Sequence, residues 1–157
     1  PSTDRPLTFY IKLIGLILIA FILLLFIIPI TVYQWYKRKI KSSKTEKERA
    51  YYNYRAATFL LNQLNIERKN LTPWQFATQI VDKNYQTNFS SFMNIYLKTK
   101  YTKSKLKEEE AVFIQKFYPN FESKILSNFK IGQRISRFLN LNTFVRYYYL
   151  PEPETNN

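Results

Sequence analysis

The chain has 157 residues, enough for about one domain, and its 24 Lys and Arg against 11 Asp and Glu give a formal net charge of +13. It contains no Cys and no His. This excludes disulfides, thiolate metal sites and cysteine nucleophiles, and it removes the commonest general base and metal ligand. The only glycines are Gly15 and Gly132, so a glycine-rich phosphate-binding loop is also excluded.

A run of 24 residues without a charged side chain extends over residues 13–36. At about 1.5 Å per residue, such a helix crosses a hydrocarbon core of about 30 Å. The run is too long for the apolar region of a signal peptide, and no small-residue cleavage site follows it. We therefore predict one membrane helix over residues 8–36. Its end carries aromatic residues typical of a membrane interface, namely Tyr33, Trp35 and Tyr36.

The two flanks of the predicted span differ in charge. Residues 37–49 carry seven basic residues and two acidic ones, whereas residues 1–12 carry two basic residues and one acidic one. The positive-inside rule therefore predicts a single-pass inner-membrane protein with segment 1–7 outside and the remainder in the cytoplasm. The basic residues expected to contact anionic lipid headgroups are Lys37, Arg38, Lys39 and Lys41. Because the chain begins at Pro1 and not at Met, we expect a processed product or part of a longer chain.

The remaining sequence predicts an all-α fold with a helical cytoplasmic domain over residues 50–130. Apolar residues recur every three or four positions, as in helices that bury one face. Three consecutive glutamates, Glu108 to Glu110, favour a helix start because negative charge stabilises the first turn. Pro119 is predicted to end that helix. The predicted helices cover residues 46–64, 73–83, 90–100, 108–119, 120–132 and 131–139.

The stretch LTPWQFATQI carries a well-formed helix-start signal. Thr72 is the predicted N-cap, Pro73 takes the first helical position, and Gln75 completes a capping box. Leu71 and Phe76 have the spacing of a hydrophobic staple. A cap of this kind contributes about 1 kcal/mol, so the motif indicates local stability and not chemistry.

Residues 131–150 form a basic, aromatic segment at the C-terminal end. Its apolar residues share one helical face, which either docks on the bundle or lies on the lipid surface as an interfacial helix. The chain has 28 aromatic residues, too many for a bundle of about 100 residues to bury, so we expect Tyr51, Tyr52 and the C-terminal tyrosines at the surface. The predicted partner surface comprises Arg134, Arg137, Arg146, Tyr147, Tyr148 and Tyr149. Residues 151–157 are predicted to be disordered.

The order of these signals resembles a known family. The segment LLNQLNIERKNLTPWQFATQI is followed by FMNIYLKTKY and then by LKEEEAVFIQKF. Over residues 50–125 this order resembles the domain of unknown function 4129, a helical domain that follows the last membrane helix of bacterial transglutaminase-like membrane proteins and also occurs on short membrane proteins without the enzyme. Gln75 replaces the usual Glu of its motif. The residues that match are Arg68, Thr72, Pro73, Phe76 and Ala77. The resemblance implies no catalytic residues.

Two groups of residues resemble a metal site and a nucleophile pair, but neither is well formed. Glu108, Glu109 and Glu110 are consecutive, so their carboxylates point in different directions on a helix. Ser104 and Lys105 lie in a Lys-rich loop, where no buried environment lowers a lysine pKa. We therefore predict a non-catalytic protein without cofactor or metal that docks on protein partners or anionic lipid within a membrane assembly. One alternative is a membrane-tethered nucleic-acid-binding module, which is less favoured because no recognised fingerprint is present. Another is the C-terminal part of a larger transglutaminase-like membrane enzyme.

Overall fold

The computed structural model describes residues 7–102 and 105–149. Over these residues the chain forms seven helices and no strand, which confirms the predicted all-α fold with one long apolar N-terminal helix. Most of the predicted outer segment 1–7, the predicted disordered tail 151–157 and Ser104 lie outside the described residues. The helices are α1 (Leu7–Ser42), α2 (Glu46–Gln63), α3 (residues 73–85), α4 (Phe89–Tyr101), α5 (Glu108–Ser127), α6 (Ile131–Phe138) and α7 (Leu141–Tyr149).

The first helix, α1, is continuous over 36 residues and passes through Pro29. It is long and apolar enough to cross a membrane, and only 6% of its most apolar 18-residue window is buried within the protein. It is therefore not the core helix of the bundle. Of the predicted basic segment 37–49, residues 37–42 extend α1 and residues 46–49 open α2.

The second helix, α2, turns back along the end of α1 and occupies the centre of the bundle. Thr45 caps it, because the backbone N–H of Glu48 donates to the Thr45 hydroxyl at 3.1 Å. The ring of Tyr52 contacts Trp35 with centroids 5.8 Å apart, and further along α2 the ring of Phe59 contacts Tyr36 at the same separation. α2 also packs against α4, α5 and α7.

The third helix, α3, begins at the predicted capping box and then widens. It is α-helical over Pro73–Gln75, π-helical over Phe76–Asp82 and α-helical again over Lys83–Tyr85. The π-helical part, which the sequence pattern does not predict, packs on α4.

Asp82, the last π-helical residue of α3, caps the following helix. Its carboxylate accepts the backbone N–H groups of Phe89 at 2.6 Å and Ser90 at 2.8 Å, and the hydroxyl of Thr87 at 2.7 Å. The residue that directly precedes α4 is Asn88, which is left-handed with φ of 60° and whose side chain makes no cap hydrogen bond. The backbone N–H groups at the start of α4 are therefore hydrogen-bonded to a side chain of the preceding helix.

The prediction that Pro119 ends a helix is wrong, because α5 is continuous from Glu108 to Ser127. Pro119 lacks an N–H group and so leaves the carbonyl of Gln115 without its usual helical donor. Both Pro119 and Gln115 are exposed, so water can take the place of that donor. The buried face of α5 is therefore undisturbed, and it packs Phe117 against Phe92 of α4 with ring centroids 4.0 Å apart.

Candidate membrane-surface site

The bundle is attached directly to the end of the apolar stretch of α1. The ring of Tyr33 contacts Phe138 of α6, with centroids 5.0 Å apart. One turn later, the hydroxyl of Tyr36 lies 3.1 Å from the hydroxyl of Tyr148 in α7. Two of the three residues predicted to mark a membrane interface, Tyr33 and Tyr36, therefore serve as the attachment points of the two C-terminal helices.

A third attachment is an ion pair between α1 and α5. Nζ of Lys37 lies 3.0 Å from Oε1 and 3.1 Å from Oε2 of Glu122. The Glu122 side chain is only 14% exposed, and burial raises the pKa of this carboxyl to about 7. The Lys37 ammonium favours the charged carboxylate, so the pair is complete above neutral pH and loses its negative partner as Glu122 takes up a proton.

An open groove of about 720 Å³ lies beside these attachments, between α1, α2 and α7. Its walls are mostly aromatic, and one guanidinium lies among them. The lining residues are Val32, Trp35, Tyr36, Tyr51, Tyr52, Arg55, Phe144 and Tyr148.

Charge in and around this groove is positive. The guanidinium carbon of Arg55 lies 5.1 Å from the ring centre of Tyr147, and no carboxylate among residues 7–102 and 105–149 forms an ion pair with it. At the edge of the groove, Nζ of Lys39 lies 5.7 Å from the ring of Trp35 and 5.8 Å from the ring of Tyr52. The groove therefore combines apolar walls with two cations, a chemistry that suits an amphipathic anion.

The amphipathic helix α6 leaves two of its apolar side chains exposed. Phe138 packs on Tyr33, whereas Ile131 is 71% exposed and Ile135 is 55% exposed. The two predicted partner-surface arginines of this helix turn toward the bundle instead. Nε of Arg134 donates to the carbonyl of Phe129 at 2.8 Å, and Arg137 donates to the carbonyl of Leu64 at 3.0 Å. Exposed isoleucines beside inward-bonded arginines leave an apolar surface without a partner in the described chain.

The structure places the other residues of the predicted partner surface in different environments. Arg146 is paired with Glu67 at 2.8 Å. Tyr147 is half-buried, with its hydroxyl 3.0 Å from that of Thr58, and burial raises the pKa of this phenol. Tyr148 lines the groove, and the side chain of Tyr149 lies outside what the structure describes. The structure thus places the residues of the predicted partner surface in several environments, and their contact with a partner stays a prediction.

The remaining predicted lipid contacts and the capping motif lie apart from the groove. Arg38 and Lys41 are exposed on α1 beside the attachments. At the start of α3, Gln75 N–H donates to the Thr72 hydroxyl at 3.2 Å, and Thr72 N–H donates to Gln75 Oε1 at 3.0 Å. Leu71 is partly buried against the core that contains Phe76. This motif shapes the helix and is not among the residues that line the groove.

The acidic cluster at the start of α5 is structural. Glu110 accepts from Nζ of Lys98 at 2.9 Å and from the backbone N–H of Lys107 at 2.8 Å, and these bonds lower the pKa of its carboxyl. Within residues 7–102 and 105–149, no three acidic side chains are grouped so as to hold a metal ion.

Sequence reasoning did not find Val32, Arg55 and Phe144 as groove residues. Tyr51, Tyr52 and Arg55 follow one another within four positions of α2, which was a local sign that these side chains could share a region. No local signal shows that α7 packs against this part of α2, and without α7 there is no groove.

The fold and the site define a class: a helical protein with one helix long and apolar enough to cross a membrane, and a bundle attached at the end of that helix. No family model, curated protein or solved structure matches the chain. The resemblance to the domain of unknown function 4129 therefore stays a prediction, and the function must be argued from the residues.

Proposed function

We propose that this chain is a non-catalytic single-pass membrane protein whose basic helical domain docks on protein partners or anionic lipid within a membrane assembly. In this proposal the domain lies on the cytoplasmic side of the inner membrane, because seven basic residues follow the span and only two precede it. The proposal also assigns residues 50–125 to the domain of unknown function 4129. The lack of His and Cys supports a docking role over catalysis.

The depth of the attachments follows from the length of the span. A hydrocarbon core of about 30 Å needs about 20 helical residues. Lys12 is the last charged residue before the apolar run, so a core that begins at Leu13 ends near Val32. Tyr33 and the Phe138 ring packed on it then lie in the headgroup layer, where aromatic side chains are favoured.

The exposed isoleucines of α6 are the observation that carries the proposal. Because Phe138 at the end of this eight-residue helix lies at the headgroup layer, Ile131 and Ile135 lie within about 11 Å of it along the helix axis. Insertion of these two side chains into the interface removes their exposed apolar surface from water. Docking of the domain on lipid thus accounts for an apolar surface that the bundle itself leaves uncovered.

Single cysteines test this placement cleanly because the chain has none of its own. An environment-sensitive fluorophore on Ile135→Cys should report an apolar surrounding in lipid vesicles. The matched control is Lys44→Cys, two residues past Ser42, which ends α1 about 14 Å further along the axis than Tyr33. This control should report water. A water-like signal at position 135 would overturn surface docking.

The same Lys44→Cys chain tests the orientation. A membrane-impermeant maleimide should label it in inside-out vesicles and leave it unlabelled in sealed right-side-out vesicles. Labelling in the right-side-out vesicles would contradict the cytoplasmic placement.

Partners are tested by affinity capture of the full chain from detergent. We expect protein subunits at a fixed ratio, and their absence would contradict docking on protein partners. Capture of nucleic acid that salt removes would instead support the tethered nucleic-acid-binding alternative.

A further inference from the structure

We propose that the groove between α1, α2 and α7 is a binding site for one anionic phospholipid of the adjoining leaflet. Arg55 and Lys39 would hold its phosphate, and the aromatic walls would hold its glycerol backbone and the first part of an acyl chain. This inference rests on the proposed function, because it requires the bundle to lie against the membrane.

The position of the groove matches the depth of a lipid headgroup. Val32, at the estimated end of the hydrocarbon core, forms part of its wall. Arg55 lies on α2 between Tyr52, whose ring contacts Trp35, and Phe59, whose ring contacts Tyr36. Arg55 is therefore about three or four residues, or about 5 Å, beyond the end of the hydrocarbon core. Phosphate groups of a bilayer lie in this layer.

The charges of the groove favour an anion. Arg55 lines it, and no carboxylate in the described parts of the chain pairs with the guanidinium. A planar guanidinium donates two parallel hydrogen bonds to a phosphate. Lys39 lies over the rings of Trp35 and Tyr52 at the edge of the same groove, and adds a second cation.

The apolar walls favour a lipid over a soluble phosphate. Val32 and Phe144 have no polar side-chain atom to bind a free phosphate, and α1 continues from Val32 directly into the exposed apolar stretch. A ligand that enters from the bilayer can keep its acyl chain in hydrocarbon while its phosphate reaches Arg55. Of the hydroxyls of Tyr36 and Tyr148, which also line the groove, one donates to the other, so one hydroxyl hydrogen is left as a further donor.

Trp35 provides a direct reporter of this site. The chain has two tryptophans, so the background Trp74→Phe leaves Trp35 alone in the groove wall. The full chain is placed in mixed vesicles in which either the anionic phosphatidylglycerol or the zwitterionic phosphatidylcholine carries brominated acyl chains. Bromine quenches tryptophan on contact, so the quenching measures which lipid lies in the groove. We expect phosphatidylglycerol to be enriched beside Trp35 about tenfold over its share of the bilayer, as one charge-assisted pair provides.

The variant Arg55→Gln should abolish the enrichment, and Arg55→Lys should keep part of it. The matched control is Lys83→Gln, which removes one positive charge from an exposed position of α3 outside the groove and should leave the enrichment intact. Circular dichroism of each variant establishes that it is folded. Equal quenching by both lipids, or equal loss with Lys83→Gln and Arg55→Gln, would overturn the proposal.

Two further measurements are needed. One identifies the ligand, and the other separates this inference from the proposed function. Millimolar soluble glycerol phosphate should leave the quenching unchanged, and displacement by it would show a site for free phosphate instead of lipid. The fluorophore at Ile135→Cys separates this inference from the proposed function. If it still reports an apolar surrounding while the enrichment is absent, the groove site is wrong and the surface placement stands.

Discussion

The hydroxyl of Tyr36 lies 3.1 Å from the hydroxyl of Tyr148, which follows it by 112 residues. This contact joins the end of the apolar stretch of α1 to the last helix of the described chain. Both residues also line the groove, so the same pair positions α7 and shapes the candidate lipid site.

A double-mutant cycle measures this contact. We expect Tyr36→Phe and Tyr148→Phe together to show a coupling free energy of about 1 kcal/mol, because the pair is partly buried and each change removes the same hydrogen bond. The free energy of unfolding of the detergent-solubilised chain is measured with denaturant. Tyr101→Phe is the control, since Tyr101 is 72% exposed and should change nothing. Independent effects at positions 36 and 148 would mean that the hydroxyls do not interact.

The free energy of unfolding should depend on pH through the protonation of Glu122. Burial raises the pKa of this carboxyl from about 4.5 to about 7, so between these values the folded chain holds a proton that the unfolded chain has released. The contribution of Glu122 to the free energy of unfolding is therefore largest at low pH and falls as pH rises from 4.5 to 7. Glu122→Gln should flatten this decline between pH 5 and 7. The exposed Glu109→Gln is the control, and an unchanged slope in Glu122→Gln would contradict the assignment.

Asp82→Ala should destabilise the bundle more than Thr72→Ala. The Asp82 carboxylate accepts three hydrogen bonds at a partly buried position, so its removal should cost about 2 kcal/mol. The Thr72 cap is exposed and should cost about 1 kcal/mol. Denaturant unfolding of both variants gives the two values. The reverse order would show that α4 is not held by the carboxylate from α3.

Tyr118→Phe should raise the free energy of unfolding by about 1 kcal/mol. The side chain is almost fully buried in α5, and its hydroxyl has no hydrogen-bond partner among the described residues. Removal of a buried polar group without a partner relieves a desolvation cost. The reciprocal change Phe121→Tyr, which adds a hydroxyl to the same core, should lower stability. A loss of stability in Tyr118→Phe would mean that the hydroxyl binds a partner such as a buried water.

Local signals predicted individual helices well. The helix predicted over residues 46–64 is Glu46–Gln63, and the one predicted over residues 90–100 is Phe89–Tyr101. Apolar spacing and capping side chains act within a few residues, so they can be read from the sequence alone. The apolar run of α1 can be recognised from the sequence for the same reason.

Features that depend on distant parts of the chain were not predictable. Whether Pro119 ends a helix depends on whether the carbonyl it leaves unpaired faces water, and this is set by the packing of α5 on α2. The π-helical part of α3 and the use of Asp82 as a distant cap have no local pattern. The groove requires α1, α2 and α7 to meet, so the spacing of Tyr51, Tyr52 and Arg55 alone does not show that Arg55 lines a groove.

The continuity of α1 has a mechanical consequence. The helix is about 54 Å long, and three other helices are fastened to residues 33–37 without a flexible linker. A membrane helix adjusts to the thickness of the bilayer by tilting. In the proposed placement of α1 across a membrane, a change in its tilt turns the whole bundle, because the bundle is fastened to the same helix. The thickness of the bilayer would then set the angle between the bundle and the membrane surface.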